Sequence, residues 1–349
     1  MAMTGILFLE VCFWMEKDAN IISMAQRTLG KFGKGFAWAL YLFLFYCLTL
    51  AYIVGCGDLF SQLFNDKIPA WSGALLFVLL FAPLTLAGGR IISWVNALLV
   101  LGLAVSYFTF VYLGYADINP SRLIPQNWAI SAFSLPIAFT AFAYQGIIPT
   151  LFGYMQRDVP RIRSAIWIGS AIPFVAYIIW QALIMGIVPA EGPGGLAETM
   201  REGQNAVYPL KTFLNNSSVY FVGQFFAFFA LVTSFLGVTI GLQDFLADGL
   251  QIKKNIQGKI LLCLLIFVPP LIFNFTHPGI FLLALDYAGG FGCALLLGLL
   301  PIMMVWSGRY RLGLTSPLAL PGGKLLLGAL ALFVAFEVSC QLYISWQNF

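Results

Sequence analysis

"SLPIAFTAFAYQGIIPTLFGYM", Ser134 to Met155, is long enough to cross a bilayer as a helix, yet Gln145-Gly146 sits near its middle with Pro136 and Pro149 on either side. In hydrocarbon every freed amide or carbonyl costs several kcal/mol, so a broken helix is tolerated only where protein or a wet cavity surrounds it. A break at Ala143, Tyr144, Gln145 and Gly146 would turn backbone dipoles and two half-helix ends toward a cavity at the midplane. Such places hold zwitterionic substrates and coupling ions. Glycine and proline are also common in transmembrane helices, and a proline-kinked packing helix is the alternative reading.

The rest of the chain has the composition of a membrane protein. Of 349 residues, 60% are hydrophobic and 9% charged, which leaves too little polar surface for a water-soluble globule. Apolar runs at about 35–57, 70–88, 91–114, 132–155, 164–188, 218–243, 260–276, 279–306 and 324–347 predict nine spanning helices, each near the ~20 residues a hydrocarbon core requires. The class is all-α and polytopic, in one transmembrane domain over 1–349. A tenth apolar piece at 2–15 has no basic leader region and no small-residue cleavage site, so it reads as the second half of a spanning helix and not as a signal peptide.

Alternating the nine spans puts the loops 16–34, 89–90, 156–163, 247–259 and 307–324 on one side, and these hold 14 of the 18 Lys and Arg. That side is predicted to be cytoplasmic, with the C-terminus outside. The loop "EKDANIISMAQRTLGKFGKG" has apolar spacing suited to a short surface helix. The basic residues are scattered over short loops, which gives no footprint for nucleic acid. Six cysteines lie in apolar segments without CxxC spacing beside a single histidine, His277, and argue against a metal site or a disulfide framework. No phosphate loop, dinucleotide fingerprint or nucleophile triad is present, so an enzyme is not expected and no cofactor is implied.

Five acids, Glu10, Asp58, Asp244, Asp286 and Glu337, fall within or near the ends of apolar runs. Intramembrane carboxylates usually face the bundle interior. No basic residue stands clearly at membrane depth to pair them, and an apolar site favours the neutral carboxyl, so Glu10, Asp244 and Asp286 are candidates for proton coupling. The stretch "FFALVTSFLGVTIGLQDFLADGL" lines up small residues suited to close helix packing. Thr233 and Ser234 there are candidate ligands for a substrate or cation, although hydroxyls bonded to their own helix are the more common case. Tyr144 lies at the expected break, away from either interface, and Tyr46 and Tyr52 on the first full span fall within apolar surroundings, where a phenol needs a partner.

With "FLEV" ending at Val11, "QRTLGKFGK", "LAYIVGCGDLF", "FTAFAYQGIIPTLFGYM", "IGSAIPFVAYIIWQ", "TSFLGVTIGLQDFLAD" and "DYAGG", the sequence resembles the bacterial hydroxy- and aromatic-amino-acid permeases almost end to end. The resemblance implies a LeuT-like inverted-repeat fold, with Tyr144, Gln145 and Gly146 on the family's broken sixth helix and Thr233 and Ser234 on its eighth. It implies a proton symporter that imports an aromatic amino acid, tyrosine first, across the bacterial inner membrane. Its partners are the substrate, the coupling proton and the bilayer, without nucleic acid or an obligate protein. The family's Gly-rich first helix and the start of its second are expected to have no counterpart before Met1, from a start placed downstream or a truncated or decayed gene. Asp286 also stands where a small or neutral residue is expected. Alternatives are a non-transporting homologue and a carrier coupled to sodium or selective for a non-aromatic amino acid.

Overall fold

The computed structural model describes residues 1–15, 20–63, 67–86, 89–124, 131–202, 204–214, 217–253, 255–277 and 280–347. The start of the predicted surface helix (16–19) and the end of the 70–88 run (87–88) lie outside them. Among the described residues all regular structure is helical. Apart from two short helices, Leu196–Arg201 and Leu210–Phe213, the helices in chain order are α1 (Ala2–Trp14), α2 (Ile21–Leu63), α3 (Ala70–Leu86), α4 (Gly89–Gly114), α5 (Leu135–Ala141), α6 (Ile148–Tyr154), α7 (Val159–Ile187), α8 (Ser217–Gly249) and α9 (Ile256–Thr276). They are followed by α10 (Phe281–Tyr287), which continues through a π-helical stretch (Ala288–Leu299) into α11 (Leu300–Tyr310), and by α12 (Gly323–Gln347). Among the described residues eight helical segments are long and apolar enough to cross a membrane, and α1 and α3 are shorter apolar helices. The chain is a polytopic helical membrane protein.

The run predicted as a short surface helix forms a helix of its own (21–29), which Gly30, with non-helical φ 73° and ψ −159°, separates by a kink from the rest of α2. A side chain there would meet open space, so it is the left-handed backbone that calls for glycine. Asn20 and Ser23 start α2 by capping each other, Ser23 N donating to Asn20 Oδ1 at 2.9 Å and Asn20 N to Ser23 Oγ at 3.0 Å.

The helices segregate into two compact units. Unit 1 comprises Met1–Leu44, Asn127–Ala176 and Leu285–Phe349, and unit 2 comprises Phe45–Gln126 and Tyr177–Ala284. In unit 1, α1 is buried on every face over residues 4–12, with Ile6, Leu7, Phe8, Leu9 and Val11 fully covered. A helix apolar all round requires such surroundings. The Trp14 ring lies on Gly308, and its indole N–H donates to Thr315 O at 3.1 Å. The π-helical stretch is a packing hub because "AGG" strips it of side chains. A Cβ on Gly289 would collide with Pro136 O and Thr140 Oγ1 of α5, and one on Gly290 with the Gln341 side chain of α12.

In unit 2, α4 packs along α8, and a Cβ at Gly102 would stand 2.7 Å from the Phe229 ring. Phe110, Leu183, Ile184, Ile187 and Val188 form a buried cluster. The crossing of α2 and α3 brings backbone onto backbone: a Cβ at Gly57 would lie 2.7 Å from Ala74 N, and one at Gly73 would run into Gly57 O. Small residues at such crossings give helices dispersion contacts that lipid tails cannot replace. Gly73→Val is therefore expected to destabilise the protein by about 1–3 kcal/mol through overpacking. Gly328→Val, where a Cβ meets nothing within 4 Å, should leave the thermal unfolding midpoint in detergent nearly unchanged.

Candidate functional site

The opening segment is a broken helix. Pro136 lies in the first turn of α5, which stops at Ala141, and Phe142 (φ −114°, ψ 27°) leaves helical geometry. Tyr144 follows at φ −102°, ψ −7°, a single 3₁₀ turn spans Gln145–Ile147, and α6 restarts at Ile148 with Pro149 in its first turn. Proline suits that place, since its missing N–H would have had no helical partner there. Backbone bonds across the break reach back only two or three residues: Ala143 N to Thr140 O (3.2 Å), Tyr144 N to Phe142 O (3.1 Å) and Ile147 N to Tyr144 O (3.1 Å).

Side chains at the break divide into two sets. Gln145 is fully buried. Its Nε2 lies 3.3 Å from Thr4 Oγ1, 3.2 Å from Met1 O and 3.1 Å from Met1 Sδ, while its Oε1 has no partner in the protein. The Tyr144 hydroxyl is in hydrogen-bonding contact with Ser170 Oγ of α7 at 3.1 Å. It also lies against α1, where a Cβ on Gly5 would be 2.8 Å from it. Tyr144 and Gln145 thus tie the break to α1 and α7. Gly146 is exposed, and a Cβ added to it meets nothing within 4 Å. Ala143 is half-buried between these extremes.

The intramembrane acids of unit 1 have unequal surroundings. Glu10 of α1 is fully buried and held on both oxygens by Arg309, with Nε to Oε1 at 2.7 Å and Nη2 to Oε2 at 2.5 Å. This corrects the expectation that no base reaches the buried acids. Arg309 was assigned to the loop 307–324, whereas α11 continues to Tyr310 and carries it inward. Asp286 Oδ2 accepts from Gln341 Nε2 at 2.6 Å. Glu337 is fully buried with neither oxygen hydrogen-bonded to the protein.

The other predicted residues belong to unit 2. Thr233 donates to Phe229 O at 2.8 Å within its own helix, as Thr239 does to Phe235 O at 2.8 Å. Ser234 and Tyr52 are half-buried on α8 and α2, and Asp244 is exposed on α8. Sequence reasoning missed a glutamine chain in this unit: Gln62 Nε2 donates to Gln204 Oε1 (3.0 Å), and Gln224 Nε2 to Gln62 Oε1 (3.1 Å) and Tyr220 Oη (2.6 Å). It borders a cavity of about 190 Å³ lined by Leu59, Phe60, Phe221, Gln224, Phe225 and Phe228. An uncharged amide within an apolar run was the available signal for Gln224, as for Gln341, four residues after Glu337; Gln62 and Gln204 lie outside the runs and gave none.

Comparison with known proteins adds two findings. A family model described as the tryptophan/tyrosine permease family matches residues 1–341. The chain is 32% identical to "Tyrosine-specific transport system 1" of Haemophilus influenzae, over 93% of this chain and 81% of that protein. It is 25% identical to "Tryptophan-specific transport protein" of the same organism, over 98% and 85% respectively. It is also 27% identical to "Glutamine transporter 2" of Aliivibrio fischeri, over 82% and 72%.

The Glu10 and Arg309 geometry makes a direct prediction. Glu10→Gln leaves a guanidinium without its counter-charge and should cost about 3–5 kcal/mol, the range for breaking a buried pair. The double variant Glu10→Met with Arg309→Met should recover most of that loss. Thermal unfolding of the parent and the two variants in detergent reads both effects.

Proposed function

The chain belongs to the tryptophan/tyrosine permease family, and from that premise we propose that it imports an aromatic amino acid, tyrosine first, by symport with protons across the bacterial cytoplasmic membrane. The observation that carries this reading is the break at 142–147 within an otherwise spanning segment. Irregular backbone at membrane depth does not face lipid, so the open side of Gly146 is a place for water or solute. A substrate's carboxylate would accept hydrogen bonds from backbone N–H groups at the break and its ammonium would donate to backbone carbonyls there, with the unpartnered Gln145 Oε1 a further acceptor at the same break. Tyr144, engaged by Ser170 and Gly5, is read as the strut that holds the break open.

The fold we propose is LeuT-like, with α5 and α6 as the two halves of a discontinuous helix. Alternating access by rigid-body movement needs compact bodies, and each of the two units is compact. The charge bias supports a cytoplasmic location for the basic loops and an external C-terminus. For coupling, both oxygens of Glu10 are taken by Arg309, which supports a structural role for it. Asp286 and Asp244 keep the coupling assignment. Thr233, whose hydroxyl serves its own helix, is read as packing, and Tyr52 and Ser234 remain secondary substrate candidates in unit 2. The membrane potential adds about 2.3 kcal/mol per charge per 100 mV to the drive for accumulation.

The resemblance to a glutamine transporter favours one second reading, a neutral amino acid without a ring. Uptake of labelled tyrosine, tryptophan and glutamine in a transport-deficient host separates the two. We expect tyrosine uptake that collapses on addition of a proton uncoupler and survives replacement of sodium by choline. Glutamine uptake alone would move the substrate class, and sodium dependence would overturn proton symport. Gly146→Leu should abolish uptake while leaving expression and thermal stability as in the parent, since its side chain enters open space. Full uptake by that variant would remove Gly146 from the substrate path.

A further inference from the structure

Three acceptor atoms meet in one turn of α12 without a donor. Glu337 has no exposed surface, and neither Oε1 nor Oε2 has a hydrogen-bond partner among the described residues. Gln341 is equally buried. Its Nε2 donates to Asp286 Oδ2 at 2.6 Å and to Ser345 Oγ at 3.4 Å, which leaves its Oε1 unpartnered too. Positions 337 and 341 are four apart on α12 and so are neighbours on one helix face. Gly290 lets this face press against the π-helical stretch, where a Cβ would collide with the Gln341 amide. The Gln341 side chain is thereby confined beside Asp286.

The charged groups on the packed elements do not offer Glu337 a base. Helix α12 packs against the π-helical stretch, α5, the 3₁₀ turn before α5, and α11. The titratable groups there are Cys293, Arg309 and Tyr310; α5 and the turn have none. Arg309 is spent on Glu10. On α12 itself Lys324 lies over the Tyr310 ring, thirteen residues from Glu337 and so roughly 20 Å along the axis. Cys340 and Tyr343 on the same helix carry a thiol and a phenol and offer no cation. Across the hub stands Asp286, another acid.

We propose that Glu337, Gln341 and Asp286 form a proton-binding site inside unit 1, with the proton on Glu337 in the state this structure describes. A buried carboxyl without a counter-charge neutralises. One added proton also relieves two of the three, because it turns one Glu337 oxygen into a donor for Gln341 Oε1. Gln341 then links the protonated acid to the carboxylate of Asp286, its amide giving to one and its carbonyl taking from the other. Glu10 shows the contrast within the same unit, an equally buried acid satisfied by arginine. The site deepens the proposed proton coupling and rests on that reading only for its use in transport; the protonated state stands on the geometry alone.

Infrared spectroscopy of the purified full chain in lipid, at neutral pH, tests it without any uptake. The parent should show the C=O stretch of a protonated carboxylic acid, shifted in heavy water, and Glu337→Gln should lose it while keeping the parent's thermal stability, since glutamine copies the neutral acid in shape. Gln341→Leu should keep the band and move its frequency by removing the acceptor. No band in the parent, a full band in Glu337→Gln, or a band suppressed when sodium replaces choline would overturn the proposal, the last in favour of a cation. A Glu337→Gln chain that fails to fold would also overturn it, because a site that needs the negative charge is not protonated. In vesicles, Glu337→Gln should lower tyrosine accumulation to simple equilibration; absence of uptake in the parent as well would fail the transport reading and leave the spectroscopic result intact.

Discussion

A backbone amide or a carboxylate in hydrocarbon has no water to fall back on, and that single deficit governs this molecule at three scales. At the scale of the chain it makes every described element a helix, which satisfies its own amides. At the scale of a segment it forces the break at 142–147 to be walled by protein, with Tyr144 and Gln145 turned to α1 and α7. At the scale of one side chain it separates Glu10, which has an arginine, from Glu337, which has none.

Small residues supply the geometry that lets these demands be met. Between lipid-facing helices there is no hydrophobic gain from burial, so contact must come from close packing. Gly289 and Gly290 admit α5 and α12 to the π-helical backbone, and Gly5 admits the Tyr144 hydroxyl to α1. In unit 2 the crossing at Gly57 and Gly73 does the same. The "DYAGG" motif therefore joins packing to chemistry, since the glycines that bring α12 close also bring Gln341 to Asp286.

For the transport reading, the division of labour within unit 1 is informative. Tyr144, singled out as a substrate contact, has its hydroxyl engaged by a serine from another helix. Gly146, the smallest residue of the break, has the open side. A substrate is thus better met by backbone at the break than by the phenol, which suits recognition of the carboxylate and ammonium common to all amino acids and leaves ring selectivity to other residues.

Much of this was legible in the sequence, for physical reasons that are local. Hydropathy and run length determine a polytopic helical class because the bilayer thickness sets helix length. Gly146, Pro136 and Pro149 locate the break because they act on their own backbone. The left-handed backbone at Gly30 left no comparable mark, although it separates the short helix before it from the span that follows. Partnership between side chains is not local. Arg309 meets Glu10 across 299 positions, and Gln341 meets Asp286 across 55, through helix crossings that no spacing rule encodes. The sequence by itself determined where polar groups enter the membrane; only the tertiary structure decided which of them are satisfied, because that depends on which helices are brought face to face.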